Sequence, residues 1–209
     1  MNRANNNTLI TCGCCGQESN QRIISSLYYN DRGLDGKPEH SELLAPLMRC
    51  PHCNYISYHL AKKNENAKDI ISSSQYKEVI KTADEDPMHI YEAALLTTPE
   101  INEMLFLHMQ YTWALEFLGN PEAAMRCRTD ANMLFQDILS GAPSIPLILQ
   151  YIDSLRQQGN FTNARALADS VSIYLDAYKD IYSLENKILH FEQNLIIAED
   201  AAPHMLSEV

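Results

Sequence analysis

Beyond about residue 64 the apolar residues recur every three or four positions, which predicts a run of amphipathic helices. Tyr76, Val79, Ile80 and Ala83 share one face, and Pro87 opens a short helix carrying Ile90, Tyr91 and Leu95. Thr98 followed by Pro99 reads as an N-cap and first-turn proline. The helix they start, to about Leu118, has Ile101, Met104, Leu105, Thr112 and Leu115 on one side and Phe106, Trp113 and Phe117 on another, so it should be central. Single stripes follow: Ala124, Cys127, Ala131, Leu134 and Ile138; Ile145, Ile148, Leu149, Ile152 and Leu155; Phe161, Ala164, Ala168, Val171, Leu175 and Tyr178; Leu184, Ile188, Phe191 and Leu195.

Sliding the chain on itself by forty residues lays Leu115 to Ala124 over Leu155 to Ala164. In each copy a glycine (Gly119, Gly159) suits the end of one helix and an asparagine (Asn120, Asn160) suits the start of the next. Such links make antiparallel helix pairs, an arrangement that resembles tetratricopeptide repeats; an ordinary helical bundle is the alternative.

The first sixty residues differ. Ile23, Ile24, Leu27, Tyr28 and Tyr29 predict one or two short strands, a Gly/Asp/Pro-rich loop runs from Asp31 to Pro38, and Tyr55 to His59 adds another strand. The opening residues, with three consecutive asparagines, read as a frayed polar leader without a secretory apolar core. This segment holds too little apolar material for an independent core, so something else must brace it.

Charge separates the same two regions. Residues 1–63 carry seven Lys+Arg against five Asp+Glu, and residues 64–209 carry nine against twenty-two, giving +2 and −13 of the net −11. An acidic helical region repels phosphate backbones and suits a protein partner; nucleic acid is left only to residues 1–63. No apolar run is long enough for a membrane span, so the expected location is the cytoplasm. Thiols stay reduced there, and clustered cysteines read as metal ligands rather than disulfides.

Five of the six cysteines fall in the first 53 residues. Cys12 with Cys15 and Cys50 with Cys53 form two C-x-x-C pairs, and four thiolates around one zinc ion make a closed tetrahedral site of the structural type. The residue after each pair often needs positive φ, which Gly16 adopts freely and Asn54 tolerates. A thioredoxin-like redox pair is the rival reading, but the stretch after Gly16 is a poor helix start and the second pair would go unexplained. Cys14 reads as a bystander thiol or a substitute ligand, His52 as solvent-facing, and Cys127 as a core residue.

No catalytic constellation emerges, and the chain is expected not to be an enzyme. His89, His108 and His190 lack the spacing of a di-iron or zinc enzyme site, and no phosphate-cradling glycine loop is present.

Cys12, Cys15 and Gly16, then Ser25 and Ser26, then Leu34 to Pro38, then Met48 to Tyr55 together resemble an uncharacterised bacterial zinc-ribbon family known as a domain of unknown function. Gly13 stands where that family usually has proline, Asn54 where it has glycine and Lys37 where it has arginine. The resemblance implies zinc on Cys12, Cys15, Cys50 and Cys53, a loop through Asp35, Lys37 and Pro38, and tetratricopeptide-like helices after them; it brings no reaction or substrate.

The reading is therefore a mainly α chain: a small N-terminal β zinc ribbon over residues 1–63, an antiparallel helical domain over 64–200, and a loose tail over 201–209. The expected function is an interaction scaffold with one structural zinc, with nucleic-acid binding and thiol redox chemistry as alternatives.

Overall fold

A computed structural model describes residues 5–24, 31–40, 47–86, 88–141, 143–178 and 180–209. The strand expected around Leu27 to Tyr29, the Ser25 and Ser26 pair, and Pro87 lie outside those residues.

Two antiparallel hairpins come first. β1 (Asn5–Thr11) pairs with β2 (Glu18–Ile24), and the two-residue strands β3 (Met48–Arg49) and β4 (Ile56–Ser57) pair with each other. The three asparagines expected to fray are thus part of a strand. The hairpin ladder satisfies their backbone groups whatever the side chains prefer, so tertiary pairing overrides a weak propensity.

Eight α-helices follow among the described residues: α1 (Ala67–Ser72), α2 (Ser74–Ala83), α3 (His89–Thr97), α4 (Ile101–Phe117), α5 (Pro121–Leu139), α6 (Ile145–Gln157), α7 (Phe161–Ala177) and α8 (Ser183–Ile197). The chain is mainly α, with packed antiparallel helices after small hairpins that carry four cysteines. None of these helices is long and apolar enough to cross a membrane.

The described residues form two compact units: those of 1–28 with 42–119, and those of 29–41 with 120–209. This division differs from the boundary expected at residue 63. In the first unit Ile56 of β4 is fully buried with Tyr76 and Ile80 of α2, Tyr91, Ala93 and Ala94 of α3, and Leu107 and Ala114 of α4. The hairpins therefore share an apolar core with helices that the sequence assigned to a separate domain.

In the second unit α6 packs against α5, α7 and α8. Phe135 of α5 is fully buried and stacks on Tyr151 of α6, with ring centroids 5.0 Å apart. The loop from Asp31 to Pro38, read from sequence as part of the N-terminal ribbon, belongs here instead: Asp35 is buried against Arg128 of α5 at 3.2 Å.

Some boundaries and faces also move. Thr98 closes α3, its hydroxyl donating to the Ala94 carbonyl at 2.8 Å, and α4 starts after Glu100. A proline cannot continue the α3 ladder, so Thr98 ends one helix instead of capping the next. Phe106, expected inside, is 42% exposed. On α8 the buried line is Asn186, Leu189, Glu192 and Ile196, the last three each one position on from the expected Ile188, Phe191 and Leu195.

That shift has a cause in buried charge. Arg156 of α6 is completely buried and donates through Nε to Glu192 at 2.8 Å, through Nη2 to Asp153, and through Nη1 to the carbonyls of Asp200 and Ala202 at 2.7 Å each. A buried guanidinium needs acceptors around its whole fork, and these supply them. The backbone bonds also correct the expectation of a loose tail: residues after Asp200 are held, ending in a 3₁₀ turn at Leu206–Glu208.

Candidate metal centre

Both cysteine pairs occupy hairpin turns of equal length. Thr11 pairs with Glu18 and Arg49 with Ile56, so residues 12–17 close the first hairpin and 50–55 the second. The two turns repeat each other bond for bond. The N–H of Cys12 donates to Gln17 O and that of Cys50 to Tyr55 O, both at 2.9 Å. The N–H of Gly16 donates to Cys12 O at 2.8 Å and that of Asn54 to Cys50 O at 2.9 Å. Closing this turn forces positive φ on the residue after the second cysteine: Gly16 has φ 76° and Asn54 has φ 61°, as the sequence predicts.

Contacts within the first unit bring the turns together. Gln21 of β2 donates to the Arg49 carbonyl at 3.1 Å, and Nε2 of His52 lies 3.1 Å from Glu18 O. Tyr76 of α2 is 1% exposed, and its hydroxyl donates to Asn54 O at 2.8 Å, bracing the second turn from the helical side. Thr97 of α3 donates to Ile56 O at 3.0 Å. Sequence reading missed these braces because their pairing depends on which helix packs on which hairpin.

Glycine at position 13, where the family resemblance leads one to expect proline, has a local cause. Its N–H donates to Leu60 O at 2.8 Å, and a Cβ built there would lie 2.2 Å from the Lys62 carbonyl oxygen. Proline would lose the donor and collide with the 60–62 backbone, so the close approach of that segment accounts for glycine at this position.

The outcome is a cluster of four sulfurs. Cys12 Sγ is 3.8 Å from Cys53 Sγ, Cys15 Sγ is 3.7 Å from Cys50 Sγ, and all four lie within 4.8 Å of one another. None is in a disulfide. A tetrahedral zinc site with Zn–S bonds of about 2.3 Å has sulfur–sulfur edges of about 3.8 Å, so the donor set fits such an ion. A disulfide would need about 2.05 Å.

Burial and backbone N–H groups pull the thiols in opposite directions. Burial pushes the thiols of Cys12 and Cys53 up, opposed at Cys12 by the N–H groups of Cys15 and Cys14 and at Cys53 by that of Tyr55. The more open Cys15 is held below the usual thiol range, chiefly by the N–H of Gln17. Coordination to a dication deprotonates thiols outright, and N–H groups aimed at sulfur then offset the thiolate charge.

Cys14 is buried among Cys12, Cys50, Tyr55, Leu60 and Ala67, and burial raises its pKa. It stands outside the four-sulfur cluster, as does the exposed His52. Cys127 is buried on α5.

No family model, curated protein or solved structure matches the chain. The arrangement itself, a four-cysteine cluster on small hairpins followed by helices, is the part of the expected resemblance that the structure contains.

Proposed function

We propose that Cys12, Cys15, Cys50 and Cys53 hold one structural zinc ion, and that the chain acts as a non-catalytic scaffold whose helices take a protein partner. The observation that carries the zinc reading is the pair of sulfur separations at 3.7 and 3.8 Å, with all four sulfurs drawn from two matching turns. Four thiolates fill a tetrahedral shell, leaving no position for water or substrate, and such sites act by holding structure. The ion would tie together two short hairpins that have no apolar core of their own.

The scaffold reading is supported by the charge of −13 over residues 64–209, which disfavours nucleic acid and suits a neutral or basic protein surface. Matching helix ends add to it. Gly119 and Gly159 both have φ 71°, and the side chains of Asn120 and Asn160 accept from the N–H three residues on.

Two measurements test the proposal. Elemental analysis of the purified chain should find one zinc per chain, lost in Cys15→Ser and Cys53→Ser. Affinity capture with the intact chain, followed by binding of the purified partner, should give a defined protein complex. Oligonucleotide affinity that falls steeply with salt would replace the scaffold reading by nucleic-acid binding.

A further inference from the structure

Residues 200–208 fold back onto the loop that follows Asp31. The N–H of Leu34 donates to His204 O at 3.0 Å, the N–H of Leu206 donates to Arg32 O at 2.8 Å, and Gly33 and Met205 form an antiparallel bridge. Ser207 adds its N–H at 3.1 Å and its hydroxyl to the Asp31 carboxylate. Beneath this pairing, across a cavity of about 70 Å³, lie Leu149 of α6 and Ile188 of α8. The two segments thus cover part of the α6–α8 face.

His204 immediately precedes the bridging residue Met205. Its Nδ1 is 2.8 Å from Glu208 Oε2 and its Nε2 is 3.1 Å from Asp200 Oδ2. A neutral imidazole has one N–H and can satisfy only one of these acceptors; the imidazolium satisfies both. The ring meets Phe191 of α8 edge-on, with centroids 5.6 Å apart. Arg156 reaches in from α6 to the Asp200 and Ala202 carbonyls, with Asp153 and Glu192 on its other side, and Asp31 lies toward Glu208 from the 31–38 loop.

We propose that residues 200–208 are a proton-locked clasp: charged His204, bonded to Asp200 and Glu208, holds the segment in the shape that pairs with residues 32–34. Loss of that proton loosens the pairing and uncovers the α6–α8 face. Burial of the ring opposes its charge and Arg156 repels it, but the bonds to Glu208 and Asp200 outweigh both, and His204 titrates above the usual imidazole range. Glu208 is held below the carboxylate range by His204, and Asp200 by the Ala202 N–H and then by His204. The closed clasp therefore binds the histidine proton more tightly than the open one. Its stabilisation is present below the ordinary imidazole pKa and is lost as pH rises through the raised value; it is lost again in acid as Asp200 and Glu208 protonate.

Nuclear magnetic resonance on the full chain tests this by following the His204 ring and the exchange protection of the Leu34 and Leu206 amides against pH, corrected for intrinsic exchange. The expected result is a His204 pKa above 6.5 and a loss of protection at both amides through that titration, while the Leu189 amide holds. The loss should be about tenfold for each pH unit by which the measured His204 pKa exceeds that of an open segment. Glu208→Gln should lower the His204 pKa and shrink the loss. Because it keeps the histidine, this variant remains informative if His204→Gln disrupts the segment. A His204 pKa at or below 6.5, protection that stays flat through the titration, or a loss shared by Leu189 would overturn the clasp.

Discussion

Asp35 and Arg128, ninety-three positions apart, meet at 3.2 Å with both side chains buried. A loop that reads as a surface turn is thereby built into a helical unit, with Asp35 Oδ1 also accepting the Lys37 N–H at 2.9 Å. Removing one member of such a pair takes a charged partner away from a buried charge, at a cost of up to about 3–5 kcal/mol. Asp35→Ala should therefore lower the denaturation midpoint strongly. Asp35→Ala with Arg128→Met should recover much of the loss, as a double-mutant cycle by chemical denaturation would read. Equal damage from the single and double changes would place the contribution in the turn geometry instead.

Metal removal should be felt by the first unit, because Ile56, Tyr76, Tyr91 and Leu107 share one core. Chelation, or Cys53→Ser, should release zinc and raise hydrogen exchange in β1 to β4 and the faces of α2 and α3 that pack on them. Helices α6 to α8 should keep their protection. Unchanged exchange around Cys50 to Ser57 after complete metal loss would show that the hairpins stand without it.

Gly13 offers a sharper geometric check. With its Cβ position 2.2 Å from the Lys62 carbonyl, Gly13→Ala must displace the 60–62 backbone, at a cost of about 1–3 kcal/mol as for other overpacked sites. Gly13→Pro should be worse because the bond to Leu60 O is also lost. Thermal unfolding and zinc retention would report both; a stable, zinc-loaded Gly13→Pro chain would contradict the close approach.

Glu192 gives a pH signature. Burial, then the charge of Asp153, pushes it up to about 9 despite Arg156, and Asp153 is raised by the same burial. Among the described residues Asp153 and Glu192 both bond the one guanidinium of Arg156, so a proton retained by the Asp153–Glu192 pair relieves their mutual repulsion. The native state then holds a proton that the unfolded chain releases near the ordinary carboxylate pKa. This contribution to stability falls as pH rises from about 4.5 toward 9, with a limiting slope of about 1.4 kcal/mol per pH unit, and levels off above that. Glu192→Gln should flatten the dependence and cost little at pH 8, where its wild-type counterpart is neutral. A steeper loss in the variant than in the wild type would assign the charged form to Glu192.

Arg156→Met should be far more harmful, because Glu192, the carbonyls of Asp200 and Ala202, and one oxygen of Asp153 all lose the Arg156 donor together, while Asp153 keeps Gln157. A cost of about 3–5 kcal/mol is expected, with release of residues 200–208 seen as new protease sensitivity. Resistance equal to wild type would mean that the pairing with residues 32–34 holds the segment unaided.

The four cysteines were legible from spacing, because C-x-x-C with a residue that accepts positive φ is a local geometric requirement, and both Gly16 and Asn54 meet it. The helices were legible for the same reason: a 3.6-residue period is a property of contiguous sequence. Where two adjacent stripes had the same period, on α8, the buried one was not the more apolar one. Only Arg156 on a neighbouring helix explains why Glu192 faces inward.

Sequence alone thus determined the mainly α class, the grouping of the two C-x-x-C pairs and most helical faces, all set by short-range geometry. Tertiary structure decided that the asparagine-rich start is a strand, that Asp31 to Pro38 belongs with the later helices, that Gly13 lies under the Lys62 carbonyl, and that the chain after Asp200 is held. Each of those depends on partners between 15 and 176 positions away, and hydrogen bonds and buried charges at such separations leave no period in the residues that make them.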